Sequence, residues 1–290
     1  MTPSRHGRVA LVATAGFDET AAPIPTYPPP PYGGAVQADG ITSANTVGYT
    51  SQEVKAGQFY MVGVQFADVK ATDTVDLNTL LSTTCAPGEI GDGEDDTWGN
   101  APMIQVLKAN GKNYSYYYYI SDADDGSETW DKTGWADDQG LLVTTADALA
   151  LSKGFWFKSM SAGMLNCAGQ VFAITEFERT IPGGQFEIVA NPYPVALNLN
   201  AFKTSVISPG EIGDGEDDTW GNAPMIQVLK ENGKNYSYYY YISDADDGSD
   251  TWDKTGWADD QGYLTVGAQV PVGAAFWIKS TTTGTFTFAL

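Results

Sequence analysis

Carboxylates are the residues in this chain most able to do chemistry, and they are crowded into two stretches. From Pro87 to Gly140 stand Glu89, Asp92, Glu94, Asp95, Asp96, Asp122, Asp124, Asp125, Glu128, Asp131, Asp137 and Asp138 against only Lys108, Lys112 and Lys132, a net charge of −9. From Pro209 to Gly262 the same letters return with two changes, Glu231 for Ala109 and Asp250 for Glu128, and the net charge there is −10. Crowded carboxylates repel one another unless a cation or water screens them. Calcium suits such loops, since it takes roughly six to eight oxygen ligands in irregular geometry. The candidate ligands are Asp92, Glu94, Asp95, Asp96, Asp122, Asp124, Asp125 and Glu128 in the first stretch. In the second they are Asp214, Glu216, Asp217, Asp218, Asp244, Asp246, Asp247 and Asp250. "DADDGSE" from Asp122 has a D-x-D-x-G-x-E spacing close to that of extracellular calcium loops, with Gly126 where a third acidic or amide ligand usually stands. The alternative is a set of solvated turns, because an Asp side chain readily bonds the backbone just beyond it. Zinc and redox metals are disfavoured: outside the N-terminal segment there is no histidine, and the chain has two cysteines.

Other chemistries find few residues to use. The only histidine, His6, lies near the N-terminus, so Ser-His-Asp and Cys-His catalysis are excluded from the rest of the chain. No phosphate-binding or dinucleotide fingerprint is present. Glycoside hydrolysis would need an isolated carboxylic acid in a partly apolar pocket, and these carboxylates are too densely clustered for that. The reading is therefore non-catalytic. Aromatic residues offer a second use: Trp98, Trp130 and Trp135, their counterparts Trp220, Trp252 and Trp257, and the tyrosines could stack on sugar rings, although cores and interfaces use the same side chains.

The elements that must position these groups are strands. "GQFYMVGVQF", "FWFKS" and "TFTFAL" alternate with a period of two between Gly-, Asp- and Asn-rich breaks, which makes the fold all-β. In "IQVLKANGKNYSYYYYI" the Asn110-Gly111 pair predicts a two-residue type I′ hairpin. That turn sets Leu107 opposite Tyr114, Gln105 opposite Tyr116 and Met103 opposite Tyr118 on one face. Val106 then faces Ser115, and Ile104 faces Tyr117, on the other. The β-branched residues put Ile104, Val106, Tyr117 and Tyr119 in the core. Tyr114 and Tyr116, with Tyr236 and Tyr238 in the repeat and Trp130 and Trp252, are left as surface contacts.

The near-identity of the two stretches, with weaker echoes outside them ("GQFYMVGVQF" and "GQFEIVANPY"; "GFWFKS" and "AFWIKS"), marks an internal duplication. Two tandem homologous antiparallel β-sandwich or barrel-like domains are expected, over residues 44–168 and 169–290. Before them, residues 1–43 contain "AAPIPTYPPPPYGG", an extended proline-rich arm. At its start "MTPSRHGRVALVATAG" reads either as a weak signal segment or as a plain tail. The 290 residues, 42% hydrophobic and 12% aromatic, suffice for real cores. A net charge of −21 opposes nucleic-acid partners, and no apolar run approaches the roughly 18 to 20 residues that span a bilayer. Cys85 and Cys167 have apolar counterparts, Ile207 and about Ala289, and their joint absence from the second unit predicts a Cys85–Cys167 disulfide and an oxidising compartment. Two buried free thiols are the alternative.

The order of "GQFYMVGVQF", the hairpin, "TGWADDQG", "GFWFKS" and "CAGQV" resembles a repeated β-domain of uncharacterised extracellular bacterial proteins. The resemblance implies secretion and an all-β fold, and it carries over no activity or catalytic residue. Together these observations point to an extracellular structural protein that polymerises with copies of itself. "TGTFTFAL" halts where the first unit continues, which suggests an open β-edge for the arm or first strand of another copy. A calcium-dependent carbohydrate-binding or adhesive module, with polysaccharide as partner, is the other reading.

Overall fold

The computed structural model describes residues 47–66, 77–90, 98–127, 130–143, 153–171, 176–201, 203–204, 207–211, 220–249, 251–264 and 269–289. The 1–43 arm lies outside them. The architecture is all-β, with several antiparallel sheets in sandwich-like layers. Among the described residues no helix is long and apolar enough to cross a membrane.

The first half contains β1 (Val47–Val54), β2 (Phe59–Gly63), β3 (Leu81–Thr83), β4 (Met103–Leu107), β5 (Tyr114–Asp124), β6 (Trp130–Ala136), β7 (Gly154–Lys158) and β8 (Gly163–Gln170). They form a three-stranded sheet, β1-β8-β3, and a five-stranded sheet, β2-β7-β4-β5-β6. The second half contains β9 (Glu176–Ile181), β10 (Phe186–Ala190), β11 (Leu197–Asn198), β12 (Lys203–Thr204), β13 (Met225–Leu229), β14 (Tyr236–Asp246), β15 (Trp252–Ala258), β16 (Gln269–Val270), β17 (Ala275–Lys279) and β18 (Gly284–Ala289). Its sheets are β12-β18-β9 and β10-β17-β13-β14-β15, in the same relative order, with a small β11-β16 pair beside them.

Alternation explains the packing. In β7, Phe155 and Phe157 point into a core shared with Val54, Leu81, Leu165, Ile104, Val106, Tyr117 and Trp135. The intervening Gly154 and Trp156 point the other way, toward the second half. The equivalent core of the second half holds Ile181, Val189, Ile226, Trp257, Phe276, Ile278, Phe286 and Phe288. The five-stranded sheets are therefore apolar on both faces over part of their area, as a layer covered on both sides must be.

The second face of each five-stranded sheet packs on the other. Met61, Leu107, Ile188, Ala190 and Ala275 are buried there, with Tyr114, Trp156, Leu229, Tyr236 and Trp277 around them. The contacts are reciprocal. Gly111 lies against Gln185 as Gly233 lies against Gln58, and Val62 bridges Ala274 as Val189 bridges Lys153. Trp156 meets Trp277 with ring centroids 6.4 Å apart. Buried Gln65 also donates to the carbonyls of Asn191 and Tyr193 at 3.3 and 3.0 Å. Two contacts lack a reciprocal: the place of Gln65 is taken by Pro192, and buried Glu187, at the place of Tyr60, stands between Lys153 (3.7 Å) and Arg179 (3.5 Å). Desolvation holds the Lys153 ammonium below its ordinary value, with Glu187 opposing. A reciprocal contact of this kind uses the same patch on both members and closes on itself.

Three expectations are corrected here. First, the hairpin register is as expected, Leu107 to Tyr114 through Met103 to Tyr118, but the turn is not a two-residue one. The Gly111 N–H closes onto the Lys108 carbonyl at 2.9 Å, which centres the turn on Ala109 and Asn110. Gly111 takes the left-handed conformation (φ 65°), and Asn110 Oδ1 accepts from the N–H groups of Lys112 and Asn113 at 3.0 Å each. A four-residue loop centred on the same point preserves the pairing.

Second, Cys85 and Cys167 are free buried thiols. Cys85 packs beside Gly163 at the start of β8, its Sγ 2.9 Å from where a Gly163 Cβ would lie. Cys167 sits four residues further along that strand, about 13 Å away at a strand's rise and well beyond bridging distance. Ile207 packs on Gly284 as Cys85 packs on Gly163, while the position equivalent to Cys167 is the buried Phe288 rather than Ala289. Each pair is a packing substitution in a core. Burial pushes the Cys167 thiol up to about 12, so it is inert. The disulfide argument for an oxidising compartment falls with the bridge.

Third, the C-terminal strand offers no open edge. β18 is the central strand of its sheet, paired with β9 on one side and β12 on the other.

Candidate functional site

Trp130, Trp252 and Tyr263 stand exposed beside Asp- and Gly-rich turns of the repeats. Trp130 opens β6 opposite Asp124 and is 50% exposed. Its indole rests on the Asp137–Gly140 turn: a Cβ on Gly140 would lie 3.0 Å from the ring, and Gly140 has φ +84°. Only glycine supplies both the left-handed backbone and the space. Asp137 Oδ1 organises the turn, accepting from the N–H groups of Gln139 at 2.9 Å and Leu141 at 3.0 Å. In the second half Trp252 (47% exposed) stands opposite Asp246. Beside it Tyr263 (50% exposed) is held by its N–H to Asp259 Oδ1 at 3.0 Å, with ring centroids 5.9 Å apart. Each half thus presents a half-exposed indole at the same place.

The carboxylates around these rings are engaged in turns. Both oxygens of Asp122 accept the Ile90 N–H, at 3.0 and 2.8 Å. Asp124 Oδ1 accepts from Gly126 N–H at 2.7 Å, and Asp125 Oδ1 from Ser127 N–H at 3.0 Å. Asp246 and Asp247 repeat these bonds with Gly248 and Ser249 at the same lengths. Hydrogen bonds from Ser127 and Ser249 hold the carboxyls of Asp125 and Asp247 below their ordinary range. Lys132 reaches Asp131 at 3.1 Å and Asp125 at 3.8 Å, and Lys254 repeats this with Asp253 and Asp247. Asp244 lies in β14 at the place of Asp122 in β5. Among the described residues no group of three acidic, histidine or cysteine side chains is arranged to hold a metal ion. Asp92, Glu94, Asp95, Asp96, Glu128, Asp214, Glu216, Asp217, Asp218 and Asp250 lie outside the described residues.

The tyrosines divide between two tasks. Tyr117 is buried and Tyr119 packs on the same core, as their face requires. Tyr116 and Tyr238 are exposed, 41% and 40%. Tyr114 and Tyr236, expected at the surface, are half-buried where the two halves meet. Desolvation raises the pKa of both, opposed by hydrogen bonds with Trp156 and Trp277. Each packs beside its exposed neighbour, Tyr114 on Tyr116 at 6.4 Å and Tyr236 on Tyr238 at 6.2 Å. Three tryptophans leave the set of candidate stacking surfaces. Trp135 and Trp257 are buried in the two cores, and Trp98 stacks on Tyr118 at 4.2 Å. The side chain of Trp220 lies outside those described.

Leu141 and Tyr263 were missed in the sequence because they stand just beyond the repeated stretch. A signal was available: the residue after the left-handed glycine returns toward the strand that carries the tryptophan's partner, as the Asp124–Leu141 and Asp246–Tyr263 bridges show. Comparison with family models, curated proteins and solved structures gives no match.

Proposed function

We propose that the chain is a non-catalytic extracellular binding protein: two tandem homologous β-sandwich domains behind a proline-rich arm, presenting two equivalent aromatic platforms to polysaccharide. One observation carries this reading. Trp130 and Trp252 are each half-exposed at the same place in the two halves, and Trp130 is seated on a glycine turn that fixes its orientation. A rigid ring with one free face suits the C–H face of a sugar, and holding it in place beforehand lowers the cost of binding. In this reading the surrounding aspartates build the turns that hold the platforms.

Polymerisation by strand addition is the other reading, and since β18 is paired on both sides, an added strand would join β9 or β12 instead. The test of the binding reading is retention on microcrystalline cellulose, chitin and starch granules. Trp130→Ala combined with Trp252→Ala abolishes retention while leaving the melting temperature in place. Absence of retention of the wild-type chain on all three supports overturns the reading.

A further inference from the structure

Among the described residues the two platforms differ at one position. Within the repeated stretches only positions 109/231 and 128/250 differ, the first in the hairpin turn and the second outside the described residues. The first residue beyond the repeat is Leu141 in one half and Tyr263 in the other. Both are held alike. Each N–H donates to the turn aspartate at 3.0 Å, each bridges the equivalent strand residue, Asp124 or Asp246, and each is about half exposed. The side chain alone changes. Tyr263 sets a second ring beside Trp252, inclined at 50° to it, whereas Leu141 brings no ring to Trp130.

We propose, resting on the polysaccharide reading, that Tyr263 makes the second platform a two-ring subsite for consecutive sugar rings of a neutral polysaccharide. The Trp130 platform engages one ring, and the second half dominates affinity. Neutrality follows from charge. The chain carries −21 overall, which repels polyanions. Lys254, two residues from Trp252 on β15, is already engaged by Asp253 at 3.1 Å and Asp247 at 3.9 Å.

Binding isotherms on microcrystalline cellulose, chitin and starch granules, each at low and high salt, test this with Tyr263→Leu, Leu141→Tyr and Tyr263→Phe. An aromatic contact of this kind corresponds to roughly a fivefold change in affinity. Tyr263→Leu weakens binding by about that factor, and Leu141→Tyr tightens it comparably, because the same backbone bonds present the new ring. Tyr263→Phe keeps most of the affinity, and salt changes none of the values. Both positions are half exposed, so thermal melts of the three variants overlay the wild type and separate a binding effect from misfolding. Unchanged isotherms for Tyr263→Leu, with retention still lost in the Trp130→Ala/Trp252→Ala chain, overturn the inference and leave the platforms standing. Affinity that collapses at high salt overturns the neutral ligand. No retention of the wild-type chain on any support overturns both the inference and the reading beneath it.

Discussion

Gly63→Ala adds one methyl group between the two halves and touches neither core. Gly63 lies on the outer face of β2, and a Cβ there would stand 2.5 Å from Ala190 Cβ and 2.9 Å from the Ala274 carbonyl oxygen. Both obstacles are fixed to backbone, so no rotamer change relieves the clash and the sheets must separate. Overpacking of this kind costs roughly 1–3 kcal/mol, and backbone-anchored neighbours place it in the upper half of that range. For a chain of this size each kcal/mol moves Tm by roughly 2–4 °C, so a fall of about 5–10 °C is expected. The control is Gly99→Ala, where an added Cβ meets nothing within 4 Å; its Tm stays with the wild type. Thermal unfolding followed by tryptophan fluorescence suits the test, because Trp156 and Trp277 meet at this contact. A Gly63→Ala Tm indistinguishable from that of Gly99→Ala would refute the packing of the two five-stranded sheets.

Three further outcomes follow from the geometry. Both cysteines are buried and too far apart to bridge, so a non-reduced sample exposes two alkylatable thiols when denatured and none when native; a mass two protons lighter, with no alkylation, would contradict this. Desolvation raises the phenol pKa of Tyr60, Tyr114, Tyr118, Tyr193 and Tyr236. The folded state therefore holds these protons to higher pH than the unfolded chain, whose phenols titrate near about 10. Their contribution to stability is complete below that value and is lost as pH rises through the folded values. Denaturant midpoints that stay flat from pH 9 to 11 would contradict the shift, and midpoints that rise would reverse its sign. Asp124→Asn with Asp246→Asn keeps the oxygen that accepts from Gly126 and Gly248. Its Tm matches the wild type in chelator, and a drop confined to calcium would assign these carboxylates to a metal.

How far the sequence could be read depended on the range of the interaction involved. The pairing of Leu107 with Tyr114 and the burial of Ile104 and Val106 follow from strand alternation, a local rule, and both hold. The turn type did not follow, because Asn110-Gly111 also fits a longer loop of the same register. Long-range facts were hidden. Nothing local distinguishes a terminal strand at a sheet's edge from one inserted at its centre, as β18 is. Nothing local tells Tyr114, which meets the other half, from Tyr116, which meets solvent. Jointly absent cysteines look like a bridge until β8 is seen to carry Cys167 four residues beyond Gly163, against which Cys85 packs. At the platforms, Trp130 and Trp252 were legible as surface residues beside turn-rich sequence, but the seat of Trp130 on Gly140 and the partnership of Tyr263 with Trp252 required the fold.

The central claim is that each half carries one sugar platform, and binding stoichiometry tests it most directly. Calorimetric titration with a soluble oligosaccharide prepared from whichever of the three polysaccharides retains the chain should saturate at two sites per chain. Either Trp130→Ala or Trp252→Ala alone should leave one site, and the combined variant none. A combined variant that still binds with the wild-type stoichiometry would contradict the account.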